Sequence, residues 1–123
     1  IYMHVPVIEP YNSPNHRLLD ADKFIEIVNK YENPIGVFQG HYHAAKITQK
    51  GNIVYISCPS LVTYPNAFRI VTVTNYWNKT VFKIEFKETR LKNVQKMAKL
   101  LMFSPSFFTG EEDDRNAVIT VKR

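Results

Sequence analysis

Two imidazoles stand one residue apart in the stretch QGHYH, at His41 and His43, directly after a glycine and at the end of an apolar run. In an extended backbone, side chains two residues apart share a face and lie about 6.5 to 7 Å from each other. That geometry puts His41 and His43 side by side and turns Tyr42 away. With Zn–N bonds of about 2.1 Å, the pair can hold two ions about 3.5 to 4 Å apart, the separation of a binuclear hydrolase centre. One ion shared by both is harder to arrange, and the competing reading is a pair of ordinary polar turn residues. Gly40 gives the chain freedom to turn at the strand end, where open α/β sheets gather their functional groups. A third imidazole, His4, ends the apolar segment IYMHV, so His4, His41 and His43 are the candidate metal ligands. No residue is singled out as catalytic.

Other chemistry-bearing residues receive plainer readings. His16, in the polar loop NSPNHRLLD, is read as a surface or helix-start residue. Asp20 and Asp22 are read as capping groups, because carboxylates are favoured at a helix N-terminus. The run EEDD at 111–114 lacks the spaced carbonyl and glycine positions of a calcium loop and reads as solvated. Tyr64 or Asn66 in SLVTYPNAF could touch a substrate, but a turn set by Pro65 and Asn66 is the preferred reading. Cys58 is the sole cysteine, which excludes an intrachain disulfide and a cysteine-based zinc site.

The elements that must position the histidines follow from periodicity. IYMHVPVI reads as a short strand ending near Val5, broken by the prolines of EPYNSP. DADKFIEIVNKY carries a 3.6-residue apolar stripe at Phe24, Ile25, Ile27, Val28 and Tyr31 and reads as a helix ended by Asn33 and Pro34. PIGVF reads as a buried strand, giving a βαβ unit that favours parallel pairing and sets the ends bearing His4 and His41 next to each other. AAKIT, NIVYIS, AFRIVTVTNY and TVFKIEFK alternate with period two and read as antiparallel hairpins. In the last of these Phe82, Ile84 and Phe86 face one way and Val81, Lys83, Glu85 and Lys87 the other. TRLKNVQKMAKLLMF returns to helical spacing, with Leu91, Val94, Met97, Ala98, Leu100 and Leu101 expected inward and Lys92, Lys96 and Lys99 outward. A last strand is expected at Ala117 to Val121. The expected organisation is one α/β domain over residues 1–123.

The chain has 123 residues, 45% hydrophobic and 22% charged, which is ordinary for a folded globular domain and too apolar for a disordered one. Sixteen Lys and Arg against eleven Asp and Glu give a net charge of +5, which suits phosphate-bearing partners but is modest. A basic nucleic-acid binder, with Tyr76, Trp77 and Lys79 as its surface, is a weaker reading because those residues fit a hairpin turn. No uncharged apolar stretch approaches the roughly 20 residues of a membrane span. No leader is visible, and together with the lone cysteine this points to the cytoplasm. The first residue, Ile1, points to a chain cut from something longer.

MHVP at a strand end, then a helix, then a strand closing in GHYH, then hairpins including CPSLVTYPNAFRIV, resembles the C-terminal part of a calcineurin-like metallophosphoesterase. The resemblance covers about residues 1 to 88. It implies a partial αββα sandwich, here a βαβ unit followed by antiparallel hairpins and a C-terminal helix. It also implies a binuclear site of Mn, Fe or Zn that hydrolyses phosphate mono- or diesters by attack of metal-bound hydroxide. On that resemblance His4 and His41 bind the second metal and His43 the first. The family's Asp-x-His, Gly-Asp and Gly-Asn-His motifs have no counterpart here, so the resemblance implies a missing N-terminal half. Three neutral imidazoles leave two cations at full charge, so metal is expected to bind weakly and the isolated chain to be inactive. Exposed edges left by the missing strands are expected to drive self-association. The competing function is a non-catalytic binding or structural module that kept the fold without a complete metal site.

Overall fold

A computed structural model of the chain describes residues 1–11, 16–33 and 35–122; parts of the expected EPYNSP break, with Pro34 and Arg123, lie outside the described residues. The order is α1 (Ala21–Val28), β1 (Ile35–Gln39), β2 (Lys46–Lys50), β3 (Ile53–Ser57), β4 (Ala67–Asn75), β5 (Lys79–Glu88), α2 (Lys92–Leu100), α3 (Pro105–Thr109), α4 (Glu112–Arg115) and β6 (Ala117–Lys122). It is a mixed α/β structure with two small sheets. One is β1-β3-β2, with β1 parallel to β3 and β2 antiparallel to it; the other is the antiparallel meander β4-β5-β6.

The layers follow from which residues face where. Strand β3 is buried along its whole length, so its two faces pack against different things. Ile53 and Tyr55 join Val37, Val7, Ala21 and Val28 in a core beneath α1, with Phe24 and Ile25 against it. Val54 and Ile56 face the other way and meet Phe82, Ile84 and Val121 of the second sheet. The stack is therefore helix, mixed sheet, antiparallel sheet, with two cores on either side of β3. Gly36 belongs to the second interface, since a methyl group there would stand 2.9 Å from the Phe82 ring.

The hairpins form as alternation dictates. Gly51, at φ 58°, makes the turn between β2 and β3, a backbone region that glycine enters at little cost. In β5, Phe82 and Ile84 are buried while Lys83 and Lys87 face water, as the period-two pattern requires. Trp77 is 97% exposed at the β4–β5 turn, where Lys79 Nζ sits 5.2 Å from the Tyr76 ring centre.

Four expectations about the elements fail. The segment IYMHV, expected as a strand ending near Val5, makes only a single parallel bridge, Tyr2 to Phe38. The apolar stripe of α2 is not inward: the helix buries no residue, and Val94, Met97, Leu100 and Leu101 are all exposed. Helical periodicity marks an apolar face but says nothing about whether an element lies opposite it. Asp20 stands at the N-cap of α1 without a side-chain cap bond; it pairs with Lys23 at 3.2 Å, and Asp22 pairs with Arg17 at 2.6 Å. EEDD is not a purely solvated loop either. Most of it forms α4, whose Asp114 is buried and accepts from Lys46 Nζ at 2.9 Å and from the Ile47 amide at 3.1 Å.

Candidate metal centre

Residues 1–4 run alongside β1 in parallel. The Phe38 amide donates to Ile1 O at 2.8 Å, the Met3 amide to Phe38 O at 2.9 Å and the Gly40 amide to His4 O at 3.0 Å. The last bond is the one that places the site, because it ties the backbone carrying His4 to the residue just before His41. Past the end of β1 the chain does not stay extended. His41 and His43 both adopt left-handed conformations, at φ 69° and 57°. The side-by-side placement expected of an extended i, i+2 pair therefore does not apply. Gly40 is not among the residues with positive φ, so the turn is made by the histidines themselves. Left-handed backbone costs a non-glycine residue on the order of 1–3 kcal/mol and gathers at functional sites. Two such residues flanking Tyr42 are the local feature that marks this loop.

The consequence is a redistribution of partners. His4 Nε2 lies 3.3 Å from His41 Nδ1, and the two rings meet edge-on with centres 5.3 Å apart. His43 turns instead to Thr63, its Nδ1 standing 3.1 Å from Thr63 Oγ1. Tyr42 does not point away from the group; its ring lies edge-on to His41 at 5.9 Å and to His16 at 5.8 Å. His16, read from sequence as a loop residue, thus comes to the same rim, 6.1 Å from the His41 ring. Among the described residues no group of three or more His, Cys, Asp or Glu stands close enough together to hold an ion.

Whether the pair suits a metal can be judged from its spacing. Two nitrogens at about 2.1 Å from one tetrahedral ion are about 3.4 Å apart. The observed 3.3 Å matches. The spacing is equally that of a hydrogen bond between the two rings, and among the described residues no third His, Cys, Asp or Glu groups with them to hold an ion. Cys58 borders the same shallow surface as His4 and Gly40. Burial pushes its thiol up, against the opposing pull of Arg69, so in the absence of a bound cation it is protonated at neutral pH.

Gln39 is the positioning residue that sequence reasoning missed. It is 3% exposed at the end of β1. Its Oε1 accepts from the Val7 amide at 3.1 Å, and its Nε2 donates to Ser57 Oγ at 2.9 Å and to Ile8 O. One side chain thereby locks the segment after His4 to the strand before His41. A polar residue closing an otherwise apolar buried strand was the available signal. Gln39→Ala is expected to cost about 2–4 kcal/mol, since it strands buried backbone groups at roughly 1–3 kcal/mol each. Urea unfolding measures this, and a loss below about 0.5 kcal/mol would show that the lock is not needed.

Asn66 and Tyr64 do not face the histidines by their bonds. Asn66 is 2% exposed and donates from Nδ2 to Leu61 O at 3.1 Å, which builds the turn. The Tyr64 hydroxyl meets Thr109 Oγ1 at 3.4 Å. A separate cleft of about 500 Å³, lined by Tyr11, Lys46, Phe107, Gly110 and Asp114 among others, contains no histidine. Burial, with Asp114 adding to it, pushes Tyr11 up to about 12, so its phenol stays neutral at physiological pH.

Among the described residues no helix is long and apolar enough to cross a membrane. No protein-family model matches the chain, and no curated protein sequence matches it.

Proposed function

We propose that this chain is the C-terminal portion of a binuclear-metal phosphoesterase of the calcineurin-like type, hydrolysing phosphate mono- or diesters. The supporting observation is the His4 Nε2 to His41 Nδ1 separation of 3.3 Å at the carboxyl ends of two parallel segments. His4 and His41 would share the second ion through those nitrogens. His43, whose Nδ1 is engaged by Thr63, would offer Nε2 to the first. Bound Mn, Fe or Zn ions would supply an activated water and positive charge opposite the phosphoryl oxygens. The chain's own part is to fix imidazole orientation: Thr63 selects the donor nitrogen of His43, and Gln39 holds the two histidine-bearing segments in register. The helix–sheet–sheet stack is read as three layers of the αββα sandwich.

Carboxylates must come from a preceding segment bearing Asp-x-His and Gly-Asp. A polypeptide that includes such a segment is expected to hydrolyse bis(p-nitrophenyl) phosphate or p-nitrophenyl phosphate when supplied with Mn²⁺, and the present chain to show little turnover. Absence of metal-stimulated hydrolysis in the longer polypeptide would refute the proposal. The other reading, a non-catalytic module, is favoured by the lack, among the described residues, of any group of three His, Cys, Asp or Glu that could hold an ion, and that result would support it. A nucleic-acid role predicts oligonucleotide binding that weakens steeply with salt; a flat salt response counts against it.

The partner expected for the isolated chain is a second copy. Met97, Leu100 and Leu101 of the α2 region are 65%, 79% and 81% exposed, and Tyr2 is exposed on the outer edge beside β1, stacked on Phe38 at 4.7 Å. Sedimentation should show concentration-dependent dimers, reduced by Met97→Lys with Leu101→Lys. A chain that stays monomeric at high concentration overturns this expectation.

A further inference from the structure

We propose that the tip of the β4–β5 hairpin docks on an anionic lipid surface, with Trp77 seated among the headgroups and Lys79 and Lys122 set against their negative charge. Trp77 is 97% exposed and Tyr76 is 50% exposed, side by side at the end of the second sheet. The turn that carries them is ordered. The Tyr76 amide donates to Lys79 O at 2.8 Å, and Thr80 Oγ1 donates to Asn75 Oδ1 at 2.8 Å. Trp77 is therefore presented on a preorganised turn, and seating it in a new environment requires no rebuilding of the loop. An indole joins a large apolar body to a single N–H donor, which suits the boundary between lipid headgroups and water.

Charge selects the kind of surface. Lys79 and Lys122 stand directly opposite each other across β5 and β6, both exposed, and like charges so placed repel. Among the described residues neither takes part in an ion pair, whereas Lys83 and Lys87 share Glu85. The sequence holds no Asp or Glu from Val71 to Ile84 or from Ala117 to Lys122. Glu85 itself lies about 20 Å from Lys79 along β5. The tip is thus an apolar point beside uncompensated positive charge, and negatively charged headgroups complement both at once. A nucleic-acid strand fits less well. Its bases need successive aromatic faces along a basic track, and Lys79 Nζ already takes one face of Tyr76, 5.2 Å from the ring centre. Trp77 alone is a poor platform for a strand and a sufficient anchor for a surface.

The inference stands apart from the histidine site, and its test needs no activity. Trp77 is the sole tryptophan, so its emission reports the tip alone. At fixed protein concentration the chain is titrated with phosphatidylcholine vesicles, with vesicles that also contain phosphatidylserine, and with a single-stranded oligonucleotide. Phosphatidylserine vesicles are expected to shift Trp77 emission to shorter wavelength and to let brominated acyl chains quench it, an effect that weakens as salt rises. Lys79→Ala and Lys122→Ala should each weaken vesicle binding about fivefold. Trp77→Ala should weaken co-sedimentation with the vesicles by at least as much, and none of the three exposed substitutions should move the urea midpoint. Emission that stays unshifted on phosphatidylserine vesicles overturns the inference, even if the chain sediments with them through another surface. So does an equal shift on phosphatidylcholine alone, or a shift produced by the oligonucleotide and not by vesicles.

Discussion

Under the proposed function, replacing His41 with asparagine is expected to lower Mn²⁺-dependent phosphoesterase turnover, in a polypeptide that also carries the carboxylate-bearing segment, by a factor on the order of 10³ or more, about 4 kcal/mol at the barrier. Asparagine is chosen for a structural reason. His41 sits at φ 69°, and alanine there would add a left-handed backbone penalty of about 1–2 kcal/mol that asparagine largely avoids. Lost activity in the asparagine variant then reports the lost ligand and not a rebuilt loop. His4 Nε2, 3.3 Å away in the intact protein, would lose its imidazole partner, which would weaken the proposed site for the second ion. Turnover should be measured at saturating Mn²⁺ with unfolding midpoints alongside. A variant within threefold of the parent, folded and metal-loaded, would remove His41 from the site.

The second large effect concerns folding. Gly110 adopts φ 72° and ψ 173° at the end of α3, a combination almost closed to residues with a side chain. A methyl group there would stand 2.3 Å from Ala45 O and 2.8 Å from Asp114 Cβ. The first neighbour is backbone and cannot swing aside. It is also held: the Ala45 amide donates to Phe108 O at 2.9 Å, and Asp114 is fixed by Lys46 and the Ile47 amide. Gly110→Ala must therefore separate the α3–α4 segment from the start of β2. The expected cost is about 3 kcal/mol or more, a large fraction of the 5–15 kcal/mol typical of a domain. Gly40→Ala is the contrast. Its added methyl meets His4 O at 3.5 Å, an ordinary contact, so the change should cost under about 1 kcal/mol. Equal unfolding midpoints for the two variants would contradict this account.

The hairpins were legible because alternation is a local property: Phe82 and Ile84 bury and Lys83 does not, and the residues between them say so. The parallel placement of residues 1–4 beside β1 was also legible, since a strand–helix–strand order favours it, although the first segment forms a single bridge and not a strand. The conformation of the histidine loop was not. An apolar run followed by GHYH extends plausibly as strand, and no residue type announces that His41 and His43 will each turn left-handed. Their actual neighbours, His4 for one and Thr63 for the other, are set by that turn. Asp114 shows the same limit from another side. Within EEDD all four carboxylates read alike, and only the fold decides which one meets Lys46. In α2 the sequence showed an apolar face correctly and could not show that nothing among the described residues would cover it.

The most direct test of the proposed function is an anomalous-scattering map of a polypeptide that joins this chain to the proposed carboxylate-bearing segment, crystallised with Mn²⁺ or Zn²⁺. The account predicts one peak within about 2.1 Å of both His4 Nε2 and His41 Nδ1, and a second, bound by His43, about 3.5–4 Å from the first. A well-occupied ion elsewhere, with these three imidazoles left unliganded, would contradict it.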